Sequence, residues 1–197
     1  MSKLETNTID TISGSTNLTL GGTNATDITI PSGVTITNNG TQSGFGGTNT
    51  PAFYAKMSTD QSIADKTNVK INFNTEVFDV GSCYDATTNY RFTVPSGQAG
   101  KYFIASSIRF NSDAVNNFQY AYNMLYKNGS AHSANHINTD NNPTLSDNIN
   151  VNGIFDLSVG DYFEVFGHLS VISSGSQEID ASEQGTTSYF YGYKIIE

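Results

Sequence analysis

From Ile149 to Val171 the chain alternates apolar and polar residues with a period of two, a pattern that admits little but half-buried β-strand. Ile149, Val151, Gly153, Phe155 and Leu157 fall on one face, and Asn148, Asn150, Asn152, Ile154 and Asp156 on the other. After Ser158-Val159-Gly160-Asp161 the alternation resumes, with Phe163, Val165, Leu169 and Val171 opposite Tyr162, Glu164 and His168. Read as an antiparallel hairpin, the segment presents two apolar stripes on the same side, which need a second sheet to cover them. The expectation is a sandwich.

The same reasoning places strands at 51–57, 69–78, 90–94, 101–110, 118–127, 130–137, 146–157, 161–171 and 187–196. Pro95-Ser96-Gly97, Asn141-Asn142-Pro143 and the Ser/Gly stretch 173–176 separate them. Asn128-Gly129, whose residues both tolerate positive φ, is the strongest hairpin signal. Strands this short and this frequent make a sandwich or a barrel, and no segment longer than a few residues carries helical spacing.

Charge narrows the partners. The net charge is −9 and the nine Lys and Arg are scattered, so no basic patch can neutralise a phosphate backbone, and nucleic acid is not expected. Nothing approaches the roughly 18 apolar residues of a membrane span, and MSKLETNTID lacks the apolar core of a secretion signal. The expectation is synthesis in a cytoplasm and no membrane partner. The single cysteine, Cys83, leaves no intrachain disulfide.

Residues 1–40 differ in texture, being rich in Thr, Asn and Gly and free of aromatics. Leu18-Thr19-Leu20, Ile28-Thr29-Ile30 and Val34-Thr35-Ile36 offer two apolar side chains each. At about 1.5–3 kcal/mol per buried side chain, such strands fall short of their ordering entropy unless neighbouring chains supply the other side. They read as a short extended β arm or stalk for attachment or trimerisation, with a disordered tail as the alternative. Residues 41–50 read as a Gly-rich hinge, and 51–197 as one globular domain holding nearly all the aromatics.

Within 51–197 the landmarks are Phe53 with Ala55, Ile71 and Phe73, Phe78-Asp79, Tyr84, and Phe92 with Pro95. Gly100, Tyr102 and Phe103 follow, then Lys127-Asn128-Gly129, Leu157, Gly160-Asp161, Phe163, and Phe190 with Gly192. In order and spacing they resemble the trimeric globular head of the first complement component, whose jelly-roll fold is shared with the tumour necrosis factor family. The resemblance implies an all-β jelly-roll knob and a homotrimer. It also keeps Asn152-Gly153, locally turn-like, inside a strand. The sequence departs from the family in lacking the collagen-like Gly-X-Y stalk and in placing Lys194 where the last strand tends to be apolar. Residues 1–40 resemble instead the N-terminal arms of short fibre, spike or decoration proteins of tailed bacterial viruses.

Catalytic and metal constellations are weak. His132 and His136 lie four apart on an expected strand, where they would share a face, but a third ligand of suitable spacing is missing. Cys83 has no histidine nearby in sequence, and no Gly-x-Ser-x-Gly elbow exists. Asp180 with Glu183, or Asp156 with Glu164, would serve as glycosidase carboxylates, yet an acidic chain yields such pairs trivially. Asp79 and Asp85 sit in oxygen-rich segments that would suit calcium, without EF-hand spacing. Neither an enzyme nor a cofactor is expected.

Two strands carry the binding expectations. In 187–196, Tyr189, Tyr191, Tyr193 and Ile195 share one face, and Phe190, Gly192 and Ile196 the other. A strand apolar on both faces is expected to use one for the core and the other for a trimer interface, so Tyr189, Phe190, Tyr191 and Tyr193 are candidate interface residues. In 118–127, Phe118, Tyr120, Tyr122, Met124 and Tyr126 oppose Gln119, Ala121, Asn123, Leu125 and Lys127. Hydrophobicity alone puts the aromatic face in the core. The family pattern puts Leu125 inside, which turns Tyr120, Tyr122 and Tyr126 outward as a platform for a host-surface glycan. The functional expectation is a structural virion protein of a tailed bacterial virus. It would be a trimeric fibre-like knob on the virion surface, bound to other virion proteins through its arm and serving host attachment. The alternatives are a capsid decoration protein and, in another class, a lectin-like carbohydrate-binding module.

Overall fold

The computed structural model describes residues 32–35, 49–183 and 186–195. The chain divides into two units, Met1–Ser43 and Gly44–Glu197. The expected arm at 1–40 and hinge at 41–50 lie almost wholly outside the described residues.

The second unit is built from strands and contains no helix among the described residues. In chain order they are β1 (Ala52–Lys56), β2 (Gln61–Ser62), β3 (Val69–Lys70), β4 (Thr75–Val80), β5 (Tyr84–Asp85), β6 (Arg91–Thr93), β7 (Gly100–Asn111) and β8 (Phe118–Lys127). They continue with β9 (Ser130–Asn138), β10 (Ser146–Leu157), β11 (Tyr162–Val171), β12 (Glu178–Asp180), β13 (Ser182–Glu183), β14 (Thr186–Thr187) and β15 (Tyr189–Lys194). Two antiparallel sheets face each other in a jelly roll. In the first, β7 is central: β10 runs along one edge, β15 and β12 share the other, β1 and β4 follow β15, and β2 follows β12. In the second, β8 lies between β9 and β11, and the far edge of β11 is shared by β6, which carries β5, and by β3.

The hairpin expected between Ile149 and Val171 does not form. β10 pairs along its whole length with β7, from Ser146 opposite Asn111 to Leu157 opposite Gly100, whereas β11 pairs with β8 in the other sheet. Both apolar stripes do point inward, but they meet each other across the interior, with the Phe155 and Phe163 rings 4.8 Å apart. Local alternation is the same for a hairpin and for a strand pair that changes sheet; only the pairing partners distinguish them. The crossing turn is tied down by Asp161, which accepts from Ser158 N at 3.0 Å and Asn128 Nδ2 at 2.8 Å and pairs with Lys127 at 2.9 Å. These donors hold its carboxyl down to about 2.

A second correction concerns 69–78, which is two strands in different sheets. β3 lies beside β11 and β4 beside β1, while Ile71 and Phe73 between them are fully buried. Their alternation continues through the crossing because both side chains stay in the core. The strand β12 follows the Ser/Gly turn at 173–176, in a stretch where no strand is expected. Asn152-Gly153 does lie inside β10, with the Phe155 ring folded over Gly153, where an added Cβ would stand 2.5 Å from it.

An aromatic cluster closes the sandwich. Phe53 of the first sheet stacks on Tyr84 and Phe92 of the second, at 5.0 and 5.1 Å, and meets its own neighbour Phe190 edge-on at 4.9 Å. Phe53, Phe92 and Phe190 are almost wholly buried, each contributing about 1.5–3 kcal/mol of hydrophobic stabilisation. Gly192 lets the strands approach here, since a Cβ would lie 2.6 Å from Ile104 Cδ1 and 2.8 Å from the Phe103 carbonyl oxygen. Replacing Gly192 by Ala is expected to cost roughly 1–3 kcal/mol or more through overpacking. Gly175, whose added Cβ would meet nothing, should tolerate Ala within about 0.5 kcal/mol. Denaturant unfolding of the two variants checks the contrast, and equal midpoints would contradict it.

Candidate functional site

The last strand presents its tyrosines outward. Phe190 and Gly192 are buried, and Tyr189, Tyr191 and Tyr193 are half-buried on the outer face of the first sheet. Phe190 therefore belongs to the core cluster and leaves the list of interface residues. The outward tyrosines join rings from three neighbouring strands. Tyr54 of β1 sits opposite Tyr191 with centroids 6.2 Å apart, and Phe78 of β4 lies 6.2 Å from Tyr54. Phe103 of β7 stacks on Tyr193 at 5.5 Å. Tyr54, Phe78, Tyr189 and Tyr191 line a shallow depression of about 310 Å³. Phe78 is 47% exposed, and Val77 and Val80 beside it are about half exposed. Partial desolvation and the adjacent tyrosines raise the Tyr191 pKa.

The other expected face is also outward. Ala121, Asn123 and Leu125 are fully buried, and Tyr120, Tyr122 and Tyr126 are half-buried on the outer face of the second sheet. Phe118 breaks the expected phase. A bulge opposite Ser170 and Val171 shifts the β8–β11 register, so Phe118 pairs with Val171 and turns into the core. The tyrosines sit in a cross-strand ring array. Tyr120 stacks on His168 at 5.8 Å, Tyr122 on His136 at 5.1 Å and Tyr126 on Phe166 at 4.1 Å. Asn68, preceding β3, donates its amide to the Tyr126 hydroxyl at 3.1 Å, and its Oδ1 lies 2.8 Å from His168 Nδ1. With the amide so oriented, Nδ1 carries the ring proton. Neither His136, His168, Phe166 nor Asn68 is marked in the sequence as a neighbour of the tyrosines, because cross-strand pairing is the only relation that joins them.

The remaining candidates separate. A bulge between Leu125 and Tyr126 displaces His132 from the phase of His136. His132 contacts Phe155 and Phe163, while His136 stacks on Tyr122, so the two do not share a face. Asp156 and Glu164 belong to the outer faces of opposite sheets, and Lys70 pairs with Glu164 at 2.5 Å. Asp180 is buried and ion-paired with Arg109 at 2.8 Å, and its carboxylate groups with those of Asp60 and Glu178. The side chain of Glu183, its expected partner, lies outside the described residues. Asp79 accepts from the backbone N–H groups of Cys83 and Tyr84, and Asp85 from those of Thr87, Thr88 and Asn89. Both carboxylates thus cap local turns. Burial and the Asp79 carboxylate, to which Cys83 Sγ donates, push the Cys83 thiol far up, the opposite of an activated nucleophile.

No protein-family model matches the sequence, and comparison with curated proteins gives no significant match. Solved structures do match in fold. Murine APRIL at pH 8.0 aligns with a TM-score of 0.52 and 14% identity over 73% of this chain and 98% of that one. Its structure at pH 5.0 aligns with a TM-score of 0.51 and 13% identity over the same shares. The likeness establishes the tumour-necrosis-factor-like jelly roll.

Two predictions follow from the second face. Tyr120→Ala and Tyr122→Ala should each lower stability by only about 1–2 kcal/mol, chiefly lost ring contacts, against roughly 3–5 kcal/mol for Phe53→Ala. Urea titrations give the three values, and comparable losses would put the tyrosines in the core. Burial lowers the His168 pKa, with Asp65 opposing it. The unfolded chain therefore binds more protons at this ring below about pH 6.5. Stability from its neutral form is complete above that pH and declines as pH falls. Between pH 7.5 and 5.5 the melting temperature of the wild type should drop further than that of His168→Gln; equal drops would remove His168 as the cause.

Proposed function

We propose that the protein is a homotrimeric jelly-roll knob carried on the surface of a tailed bacterial virus, where it serves attachment to the host. The observation that carries the reading is the outer face of the first sheet. Tyr54, Phe78, Phe103, Tyr189, Tyr191 and Tyr193 form a contiguous ring-covered surface across β4, β1, β15 and β7. A ring surface of this kind, continued by exposed Val77 and Val80, marks a protein contact rather than a solvated face. Packing three copies around an axis through it buries the face in a closed assembly. The fold supports the same reading, as does the texture of residues 1–40, whose paired apolar residues need neighbouring chains to complete a core. The expected role is binding without catalysis or cofactor.

Light scattering on the full-length protein at micromolar concentration should give three times the 21.2 kDa chain mass. Tyr191→Glu should return a folded monomer, since a charge there is tolerated in water and not between subunits. A monomeric wild type would overturn the assembly. Deleting residues 1–45 should leave a cooperatively unfolding knob that no longer joins the particle. Loss of the unfolding transition would make arm and knob one folding unit.

A further inference from the structure

On the outer face of the second sheet, the rings are fixed while several of their polar groups stay free. Cross-strand stacking holds Tyr120 against His168 and Tyr122 against His136, and Tyr120 and Tyr122 meet edge-to-face at 6.0 Å. Asn68 secures the His168 ring through Nδ1 and leaves Nε2 as an acceptor. Among the described residues, the Tyr120 and Tyr122 hydroxyls and His168 Nε2 have no hydrogen-bond partner. The charges around them are engaged elsewhere. Lys70 closes on Glu164 at 2.5 Å, and Asp65 accepts from Val171 N at 3.0 Å with Lys66 beside it at 3.8 Å.

This chemistry selects a ligand class. An anionic ligand would meet a chain of net charge −9 and, among the described residues, no unpaired cation beside Tyr120, Tyr122 and His168, since Arg91, also on this sheet, lies over the Tyr162 ring at 4.2 Å. A wholly apolar ligand would strip water from two hydroxyls and an imidazole nitrogen without replacing their hydrogen bonds. A pyranose ring supplies both requirements, with apolar C–H groups to pack against the rings and neutral hydroxyls that donate to His168 Nε2 and exchange hydrogen bonds with Tyr120 and Tyr122. The sheet is open, so an extended saccharide lies along it without entering a cavity. Rings already locked by stacking lose little freedom on binding. We propose that Tyr120, Tyr122 and His168 form a binding site for a neutral hexose-containing glycan. This assignment rests on the attachment reading above, and three copies in one assembly would add avidity to a weak single contact.

Affinity electrophoresis of the full-length protein, in gels containing dextran, mannan or galactomannan, tests the site, with dextran sulfate as the anionic comparison. At least one neutral polysaccharide should retard the wild type, and Tyr122→Ala and His168→Ala should each weaken the retardation about tenfold or more. Tyr122→Phe and His168→Gln, which keep the side-chain volume, guard against misfolding; weakening in these with an unchanged melting temperature and subunit mass supports the site. Retardation by dextran sulfate alone, by none of the gels, or equally in all four variants overturns it. Labelled protein applied to cells that the particle infects separates the two proposals. Equal labelling by wild type and Tyr122→Ala removes this site and leaves attachment standing. Polysaccharide binding that depends on Tyr122, without cell labelling, keeps the site and removes attachment.

Discussion

Phe53 is where the two sheets become one core. Its ring stacks on Tyr84 and Phe92 from across the sandwich while Phe190 closes its edge, so four rings from four strands share one contact. Such packing needs backbone as well as side chains. Gly192 keeps β15 close enough to β7 and β1 for Phe53 and Ile104 to fill the space above it. Asn123 also bridges the sheets, donating from β8 to the carbonyls of Ser106 on β7, which pairs with Phe190, and of Ile149 on β10, at 3.2 and 2.8 Å. The ring cluster supplies burial. The amide adds direction, since a slip of β8 by one residue would turn Asn123 out and Tyr122 in.

What could be read from the sequence follows from this division. Alternation fixes which side chains point inward, and Ile149, Val151, Leu157, Phe163, Val165 and Leu169 all do. It does not fix the partner of a strand. β10 and β11 were therefore legible as strands and illegible as members of opposite sheets, and 69–78 hid a crossing because Ile71 and Phe73 keep the phase through it. Bulges are the second blind spot. The one beside Phe118 and the one beside Tyr126 each insert a residue that no local pattern marks. The first sends Phe118 inward while its nominal companions Tyr120 and Tyr122 stay outward, and the second separates His132 from His136.

The tyrosine face shows why hydrophobicity ranking misleads in this chain. Ala121, Asn123 and Leu125 look the less suited to a core, yet they are buried, because the space over β8 is already occupied by Ile149, Val151 and the large rings of the first sheet. Small inward residues on β8 are the complement of large ones opposite, a packing relation that a single-strand reading does not contain. The family pattern carried that relation implicitly by placing Leu125 inside. The Asn68 and His168 contacts were beyond even that guide, as they join positions 100 residues apart.

With aromatics in the core and on both outer faces, the two surfaces are distinguished by what accompanies the rings. On the first sheet the companions are Val77, Val80 and further rings, and the depression among Tyr54, Phe78, Tyr189 and Tyr191 is lined by aromatic side chains alone. Exposure of that kind costs solvation until another protein surface covers it. On the second sheet the companions are two histidines, Asn68 and a closed Lys70–Glu164 pair, and the neighbouring edge strand β9 is composed of Ser, Ala, Asn, His and one Ile. That face is compatible with water when unbound, and its polar edge discourages strand addition by another chain. Self-association through the first face, as proposed, would leave the second free on every copy, which is the arrangement a multivalent binding knob requires.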